Sequence, residues 1–139
     1  MRIRRGTPAD AEACARIVHS WVDRTAWMPD PMPYGTLVDI MQQGIPVREF
    51  WVAGDPVEGY LSFNPDESLI VGLYTSNPGS GTGKALVDRV KEGRTRLHLW
   101  THAPNTRAHA FYEREGFVKS GVTRDGDDGL LELRMDWEA

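Results

Sequence analysis

The sequence has one cysteine, no long apolar run and no excess of positive charge. Cys14 alone cannot form an internal disulfide, which is typical of proteins of the reducing cytoplasm. No apolar run approaches the ~20 residues that a membrane span needs, and no signal-peptide pattern is present at Met1. The formal net charge of −4 gives no electrostatic footprint for nucleic acid. We therefore expect a cytoplasmic protein that binds neither membrane nor nucleic acid.

Metal-ligand patterns and internal repeats are also lacking. The four histidines, at positions 19, 98, 102 and 109, have no cysteine or carboxylate at a metal-ligand spacing, so no metal is expected. Of the 139 residues, 40% are apolar and 26% are charged, as in an ordinary globular protein. This length predicts a single domain over residues 1–139.

A glycine-rich stretch, Asn-Pro-Gly-Ser-Gly-Thr-Gly-Lys-Ala-Leu at 77–86, lies between a predicted strand and a predicted helix. The run before it, 69–75, is apolar and β-branched, and Leu86, Val87 and Val90 after it recur at helical spacing. Free N–H groups and the positive end of the helix dipole point at such a turn, so the stretch predicts an anion site. The alternative is a tight connection with a glycine helix start.

Two common phosphate-binding motifs do not fit this stretch. The P-loop pattern needs glycine where Pro78 stands and serine or threonine where Ala85 stands. The dinucleotide fingerprint fails because Gly79, Gly81 and Gly83 alternate and no third-spaced glycine follows. A nucleotide phosphotransferase therefore lacks its pattern here.

Hydrophobic periodicity predicts a chain of the α/β class. Strands are predicted at 1–5, 48–53, 58–63, 69–75 and 96–101, with a hairpin in 118–137 and helices starting near 8, 36, 82 and 106. The strands before the glycine stretch form an antiparallel meander, and the crossover around it gives a parallel pair. A ligand then binds beyond the carboxyl ends of the parallel strands, where the glycine stretch lies.

Several helix ends are signalled by single residues. Thr7 is the predicted cap of the first helix, Thr36 of the second, and Asn105 or Thr106 of the last, which ends at Gly116. Cys14 belongs to the apolar stripe of the first helix, so it is expected in the core rather than as a nucleophile.

Six residues of the last helix and the residues after it keep a fixed spacing, N-x-x-A-x-x-F-Y-x-x-x-G-F: Asn105, Ala108, Phe111, Tyr112, Gly116 and Phe117. Together with the alternating glycines, this run resembles the signatures of the GNAT (Gcn5-related) N-acetyltransferase superfamily. The glycine signature of that family reads Q/R-x-x-G-x-G/A, and Pro78 stands where glutamine or arginine is usual. The resemblance implies one domain with a mixed sheet of six to seven strands and helices on both faces.

The resemblance also implies an activity and a co-substrate. The implied activity is transfer of an acetyl group from acetyl-CoA to a primary amine of a small molecule or peptide. The backbone of Leu73, Tyr74 and Thr75 would bind the pantetheine arm, with an amide near Leu73 facing the thioester oxygen. Asn105 would contact the same arm, cap the helix, or do both. The diphosphate would lie on the glycine loop: Gly79, Ser80, Gly81, Thr82, Gly83 and Lys84.

By the same resemblance, Tyr112 would protonate the departing thiolate; the alternative is a tyrosine that only fills the core. A phenol pKa of ~10 against a thiol pKa of ~8.5 makes this transfer cost about 2 kcal/mol. The base is harder to place. Glu67, at the start of the strand before the loop, is the candidate, with a solvated strand-end charge as the alternative, and His98 and His102 are weaker candidates. A site without a strong base favours an amine of low pKa.

The acceptor and the assembly are the least specified features. In the resembled family the segment after the first helix lines the acceptor pocket, which would place Trp27, Met28 and Tyr34 there; alternatively these side chains only cover the core. A non-catalytic acyl-CoA-binding or sensing domain is the competing interpretation of the whole chain. The sequence does not decide between a monomer and a homodimer.

Overall fold

A seven-stranded mixed sheet and four α-helices make up residues 2–139, the part of the chain that the computed structural model describes. The strands are β1 Ile3–Arg5, β2 Glu49–Ala53, β3 Gly59–Asn64, β4 Leu69–Thr75, β5 Arg96–His102, β6 Val118–Asp125 and β7 Leu131–Glu138. The helices are α1 Ala11–Arg24, α2 Tyr34–Gly44, α3 Thr82–Lys91 and α4 Thr106–Arg114. Short 3₁₀ turns, Pro8–Asp10 and Ile45–Val47, precede α1 and follow α2.

The strand order β1-β2-β3-β4-β5-β7-β6 places the parallel pair, β4 and β5, inside the sheet. All other neighbours are antiparallel. Backbone pairing between β4 and β5 covers only Leu69 with His98 and Ile70 with Leu99, although β4 continues to Thr75 and β5 to His102. The two strands therefore part toward their carboxyl ends and leave an opening in the sheet.

Each face of the sheet carries a hydrophobic core covered by helices. Side chains of successive strand residues point to opposite faces, and β2 shows this: Trp51 belongs to the core under α3 and α4, whereas Phe50 and Val52 belong to the core under α1 and α2. Cys14 is fully buried in the second core, where desolvation raises the pKa of its thiol to about 12. Its predicted place in the core is thus confirmed.

The start of the first helix follows its sequence signal in part: Thr7 precedes the 3₁₀ turn Pro8–Asp10, but its side chain makes no capping hydrogen bond, and α1 itself begins at Ala11. The Asp10 carboxylate accepts hydrogen bonds from the Thr7 N–H at 2.8 Å and from both terminal nitrogens of Arg4, also at 2.8 Å. The Arg4 hydrogen bond is the main reason why the pKa of Asp10 lies below its ordinary value. This carboxylate therefore ties β1 to the first turn before α1.

Some predicted boundaries are wrong. The second helix begins at Tyr34, with Pro33 in the cap position, and Thr36 lies inside its first turn without capping it. The Pro33 carbonyl accepts from the Leu37 N–H at 3.1 Å, so proline starts this helix. Met1, where the first strand was predicted to start, lies outside the described residues. Within residues 2–139, none of the helices combines the length and the hydropathy that a membrane span requires.

Candidate functional site

The opening between β4 and β5 continues into a cavity of about 470 Å³. Its walls are the carboxyl-terminal parts of the two strands, the glycine loop and α4, and Trp21 of α1 and Glu132 of β7 also line it. Of the residues that the sequence predicts for the site, the lining includes Leu73, Tyr74, Thr75, Gly79, Gly81, Gly83, Lys84, Asn105 and Tyr112. The cavity lies at the carboxyl ends of the parallel strands, as crossover topology predicts.

Where the glycine loop joins α3, backbone N–H groups are left without partners inside the helix. Gly79 and Gly81 have φ angles of 85° and 88°, which L side chains rarely adopt, and Gly81 is the cap residue of α3. The Ala85 N–H bonds to the Gly81 carbonyl at 3.1 Å, so the N–H groups of residues 82–84 precede the first bond within the helix. Ser80 and Thr82 bond to each other through their hydroxyls at 2.9 Å, which braces the turn. The loop therefore has the geometry of an anion site.

Gly83 and Lys84 act through their neighbours. A Cβ added to Gly83 would lie 3.1 Å from the Phe111 ring, so glycine here lets α3 and α4 approach each other beside the cavity. The Lys84 ammonium lies 3.1 Å from a Glu115 oxygen and 3.4 Å from an Asp88 oxygen. The hydrogen bond to Glu115 is the main reason why the pKa of Lys84 is raised. Two carboxylates thus share the charge that the sequence suggested for a phosphate.

Two arginines of α4, Arg107 and Arg114, also line the cavity and are exposed. They were missed from the sequence, although their spacing offered a signal. Positions 107, 111 and 114 follow the i, i+4, i+7 pattern of one helix face, and Phe111 belongs to the fixed-spacing run of the sequence. These guanidinium groups supply cavity charge in addition to that of Lys84.

Tyr112 is 8% exposed and lines the cavity from α4. Its ring packs against Phe111 and Phe117, with centroid distances of 5.2 and 5.6 Å. Desolvation, with a smaller contribution from Tyr74, raises the pKa of Tyr112. The phenol therefore stays protonated over the range of ordinary assays. The raised pKa makes proton donation from Tyr112 cost more than the ordinary pKa of a phenol suggests. Burial also raises the pKa of a thiol in the same cavity, which offsets part of that cost.

Asn105 caps α4 and lines the cavity. Its side-chain oxygen accepts from the Ala108 N–H at 3.2 Å, which confirms the predicted cap. The side-chain nitrogen is a separate donor group, so capping does not use up the hydrogen-bonding capacity of the amide.

Several predicted residues lie away from the cavity. Glu67 is exposed in the turn before β4, where its carboxylate accepts from the Asn64 amide at 3.3 Å, at the end of β4 opposite the glycine loop. His98 lies at the same end, paired with Leu69. Tyr34 rests on α1, and its hydroxyl donates to the Glu12 carbonyl at 3.3 Å. The structure thus does not bring these side chains to Tyr112.

Trp27 and Met28 have different surroundings. The Trp27 ring lies 5.7 Å from Trp21 and 5.3 Å from His102, both of which line the cavity. Met28 is half-buried, and its N–H bonds to the Thr25 carbonyl at 3.1 Å within the same loop. Trp27 is therefore the member of the predicted acceptor group that the structure places in contact with the cavity wall.

Comparison with known proteins gives matches in structure alone. No protein-family model matches the sequence, and a comparison with curated proteins finds no significant match. A ribosomal-protein-alanine N-acetyltransferase from Brucella melitensis superposes with a TM-score of 0.76 at 20% identity, covering 100% of both chains. A putative acetyltransferase from Salmonella typhimurium, solved with its cofactor acetyl-CoA, has a TM-score of 0.75 at 19% identity, covering 99% of this chain and 93% of that one.

A GNAT-family acetyltransferase from Bacillus cereus gives a TM-score of 0.76 at 13% identity, over 99% of this chain and 96% of that chain. At such identities the likeness concerns the course of the backbone. The mixed seven-stranded sheet, its parallel pair and the helices on both faces are shared over nearly the whole chain. The protein therefore has the GNAT acetyltransferase fold, which confirms the fold that the sequence resemblance implied.

Proposed function

We propose that this protein is an N-acetyltransferase that moves an acetyl group from acetyl-CoA to a primary amine of a small molecule or peptide. The observation that carries the proposal is the cavity between the parted strands, which joins the free amides of the glycine loop to Tyr112. Free backbone amides bind phosphate groups, and a departing thiolate needs a proton donor such as Tyr112. The bound acetyl-CoA in the structural neighbour from Salmonella supports the same co-substrate.

The unpaired edge of β4 is suited to the pantetheine arm. Its other edge pairs with β3 through Tyr60 and Tyr74 and through Leu61 and Leu73. Toward Thr75 the edge facing β5 has no paired strand, so its N–H and C=O groups need partners. An extended arm carrying amides can meet that need as an added strand does. In the proposal, a backbone amide near Leu73 also faces the thioester oxygen.

The phosphate groups occupy the other end of the cavity in this proposal. The amides of residues 79–84 hold the diphosphate, apart from that of Ser80, which donates to the Asn77 carbonyl at 3.3 Å. Arg107 and Arg114 add positive charge to the cavity wall. Lys84 contributes less than its charge suggests, because Glu115 and Asp88 compete for the ammonium. Asn105, beside the arm, donates from its side-chain amide while its oxygen caps α4.

At the reacting centre, the amine nitrogen attacks the thioester carbon, the C–S bond breaks, and Tyr112 protonates the CoA thiolate. The tyrosine suits this role because burial keeps it protonated until the thiolate forms. The proton that the new amide loses restores the phenol through water. In this proposal the acceptor side of the cavity is lined by Trp21 and Glu132, and Trp27 packs against Trp21.

We expect acetyl-CoA to stabilise the protein against thermal unfolding more than ATP does at the same concentration. At one hundred times its dissociation constant, a ligand adds about 2.7 kcal/mol to the free energy of unfolding. Thermal melts with each ligand measure this, and release of free thiol from acetyl-CoA with a panel of amines then measures turnover. Stabilisation by acetyl-CoA without thiol release for any amine would favour a non-catalytic acyl-CoA-binding domain. Greater stabilisation by ATP would contradict the proposal.

A further inference from the structure

His102 ends β5 at the acceptor side of the cavity, and the surrounding groups hold its ring in place. The ring stacks on Trp21 at 6.3 Å with an interplanar angle of 25°, and Trp27 lies 5.3 Å away. The His102 backbone carbonyl accepts a hydrogen bond from Nε2 of the buried His109 at 3.0 Å. The side chain is only 15% exposed, so the imidazole is fixed on several sides.

A carboxylate decides which ring nitrogen of His102 carries the proton. Nε2 lies 2.8 Å from an oxygen of Asp128, and an ionised carboxylate can only accept, so Nε2–H is the donor. In the neutral ring the lone pair is then on Nδ1. Among residues 2–139, Nδ1 has no hydrogen-bond partner. A base oriented by a carboxylate through its other nitrogen is the arrangement of a His–Asp pair.

The charged groups nearest to the His102 ring are the carboxylates of Asp128 and Glu132. Desolvation raises the pKa of Asp128, but hydrogen bonds from the Leu130 N–H and from His102 outweigh it and keep that pKa below its ordinary value. Glu132 is 3.9 Å from His102 Nε2 and pairs with Arg124 at 2.7 Å, so Asp128 is the nearer acceptor for His102.

Two other titratable side chains lie close to this pair. Desolvation, with smaller contributions from Asp128 and Glu132, raises the pKa of Tyr74, which stays neutral. The remaining titratable group in contact, His109, donates to the His102 backbone rather than to its ring. The charge that balances an imidazolium at His102 is therefore the Asp128 carboxylate.

We propose that His102 is the general base that takes a proton from the acceptor amine, and that Asp128 is the positioning residue that holds its ring. The inference rests on the proposed function. The acceptor ammonium gives one proton to Nδ1, and the neutral amine then attacks the thioester carbon. The N–C bond forms as the C–S bond breaks, and Tyr112 gives its proton to the thiolate. The second proton of the amine then returns to Tyr112 through water. One proton is released per turnover.

This base removes a restriction on the acceptor that the sequence alone suggested. At a pH three units below its pKa of about 10.4, a lysine-like amine is neutral in only about one molecule in 10³. Glu67 lies at the far end of β4 and cannot deprotonate an amine near Tyr112. If Glu67 were the base, the site would therefore favour amines of low pKa. With His102 at the cavity wall, alkylamines become acceptors at neutral pH.

The test compares His102→Gln and Asp128→Asn with His98→Gln, a matched control that removes the other histidine of β5 at the far end of the strand. Benzylamine, an alanine-leading dipeptide and aniline serve as acceptor probes of decreasing amine pKa, and kcat/KM is measured from pH 6 to 10. We expect His102→Gln to lose about 10²-fold for benzylamine at neutral pH, with a smaller loss at high pH and for aniline. Asp128→Asn should show an intermediate loss, and His98→Gln none.

Calorimetric binding of acetyl-CoA separates this inference from the proposed function. Wild type and both site variants are expected to bind acetyl-CoA equally, because the His–Asp pair lies on the acceptor side. If Tyr112→Phe impairs turnover but His102→Gln keeps kcat/KM within threefold at every pH, the base is wrong and the transferase stands. If the wild type does not bind acetyl-CoA, both fail.

A measurement that needs no acceptor complements the kinetics. In nitrogen-15 NMR of the histidine side chains, His102 is expected as the Nε2–H tautomer in the wild type and as a mixture of tautomers in Asp128→Asn. The Nδ1–H tautomer in the wild type would leave no lone pair for the amine and would overturn the inference, whichever amines react.

Discussion

Replacing Tyr112 by phenylalanine is expected to lower kcat by ~10²-fold or more and to leave the affinity for acetyl-CoA unchanged. The substitution removes only the hydroxyl, so the packing of the ring on Phe111 and Phe117 is kept. Without the donor, the thiolate must leave as an anion or find a proton from water. Steady-state kinetics with calorimetric binding of acetyl-CoA measure both quantities.

A second buried tyrosine provides the control. Tyr60 is 4% exposed in the core under α1 and α2, and it does not line the cavity. Tyr60→Phe should therefore keep kcat.

The pH dependence is a further check: burial raises the pKa of Tyr112, so its donor form persists, and kcat should not fall on the alkaline side below about pH 10. Full activity of Tyr112→Phe would remove the tyrosine from the mechanism.

Substituting alanine for both Gly79 and Gly81 is expected to weaken acetyl-CoA binding by about 10²-fold. At φ angles of 85° and 88°, each alanine is disfavoured by roughly 1–2 kcal/mol, so the free loop relaxes to another conformation. Binding must then restore the strained loop, and that energy is lost from the affinity. Since a Cβ at either position meets nothing within 4 Å, crowding does not explain the effect. Titration calorimetry measures the change in dissociation constant.

Gly93 separates strain in the loop from strain in general. It follows α3 with a φ of 73°, and a Cβ there also meets nothing within 4 Å. Gly93→Ala should lower the melting temperature without changing the affinity for acetyl-CoA. Equal weakening of binding by Gly93→Ala, or unchanged binding by the double variant, would contradict a role for the loop amides.

Features set by neighbouring residues along the chain were predicted well from the sequence. Asn105 caps α4 and Gly116 adopts a φ of 94° after it, because caps and left-handed ends depend on a few adjacent residues. The parallel pair also follows from local order, since a strand, a helix and a strand in sequence imply a crossover. The cavity at the strand ends is a consequence of that topology.

Features set by strand register were not predictable in this way. His102 and Asp128 are 26 positions apart, and they meet because β5 pairs with β7 so that His102 lies opposite Glu132. Nothing local in the sequence fixes that register. The Glu67 candidate was wrong for a different reason: Glu67 precedes β4 and the glycine loop follows it, so chain order alone places them at opposite ends of the strand.

The direction of a loop side chain is equally hidden from the sequence. Tyr34 and Trp27 come from the same proline-rich segment, yet Tyr34 lies on α1 beside His19, whereas Trp27 reaches His102. Prolines show that the segment is not helical but do not set its course over the surface. The second helix likewise starts two residues earlier than Thr36 predicts, at Tyr34.

The most direct test of the central claim is a backbone-amide NMR titration with acetyl-CoA. The account predicts that the largest shift changes fall on the amides of residues 79–84, where the diphosphate settles, and on residues 73–75, along the parted edge of β4. Gly93, beyond the far end of α3, should not respond. Binding that leaves the amides of 79–84 unperturbed and shifts another region would contradict the account.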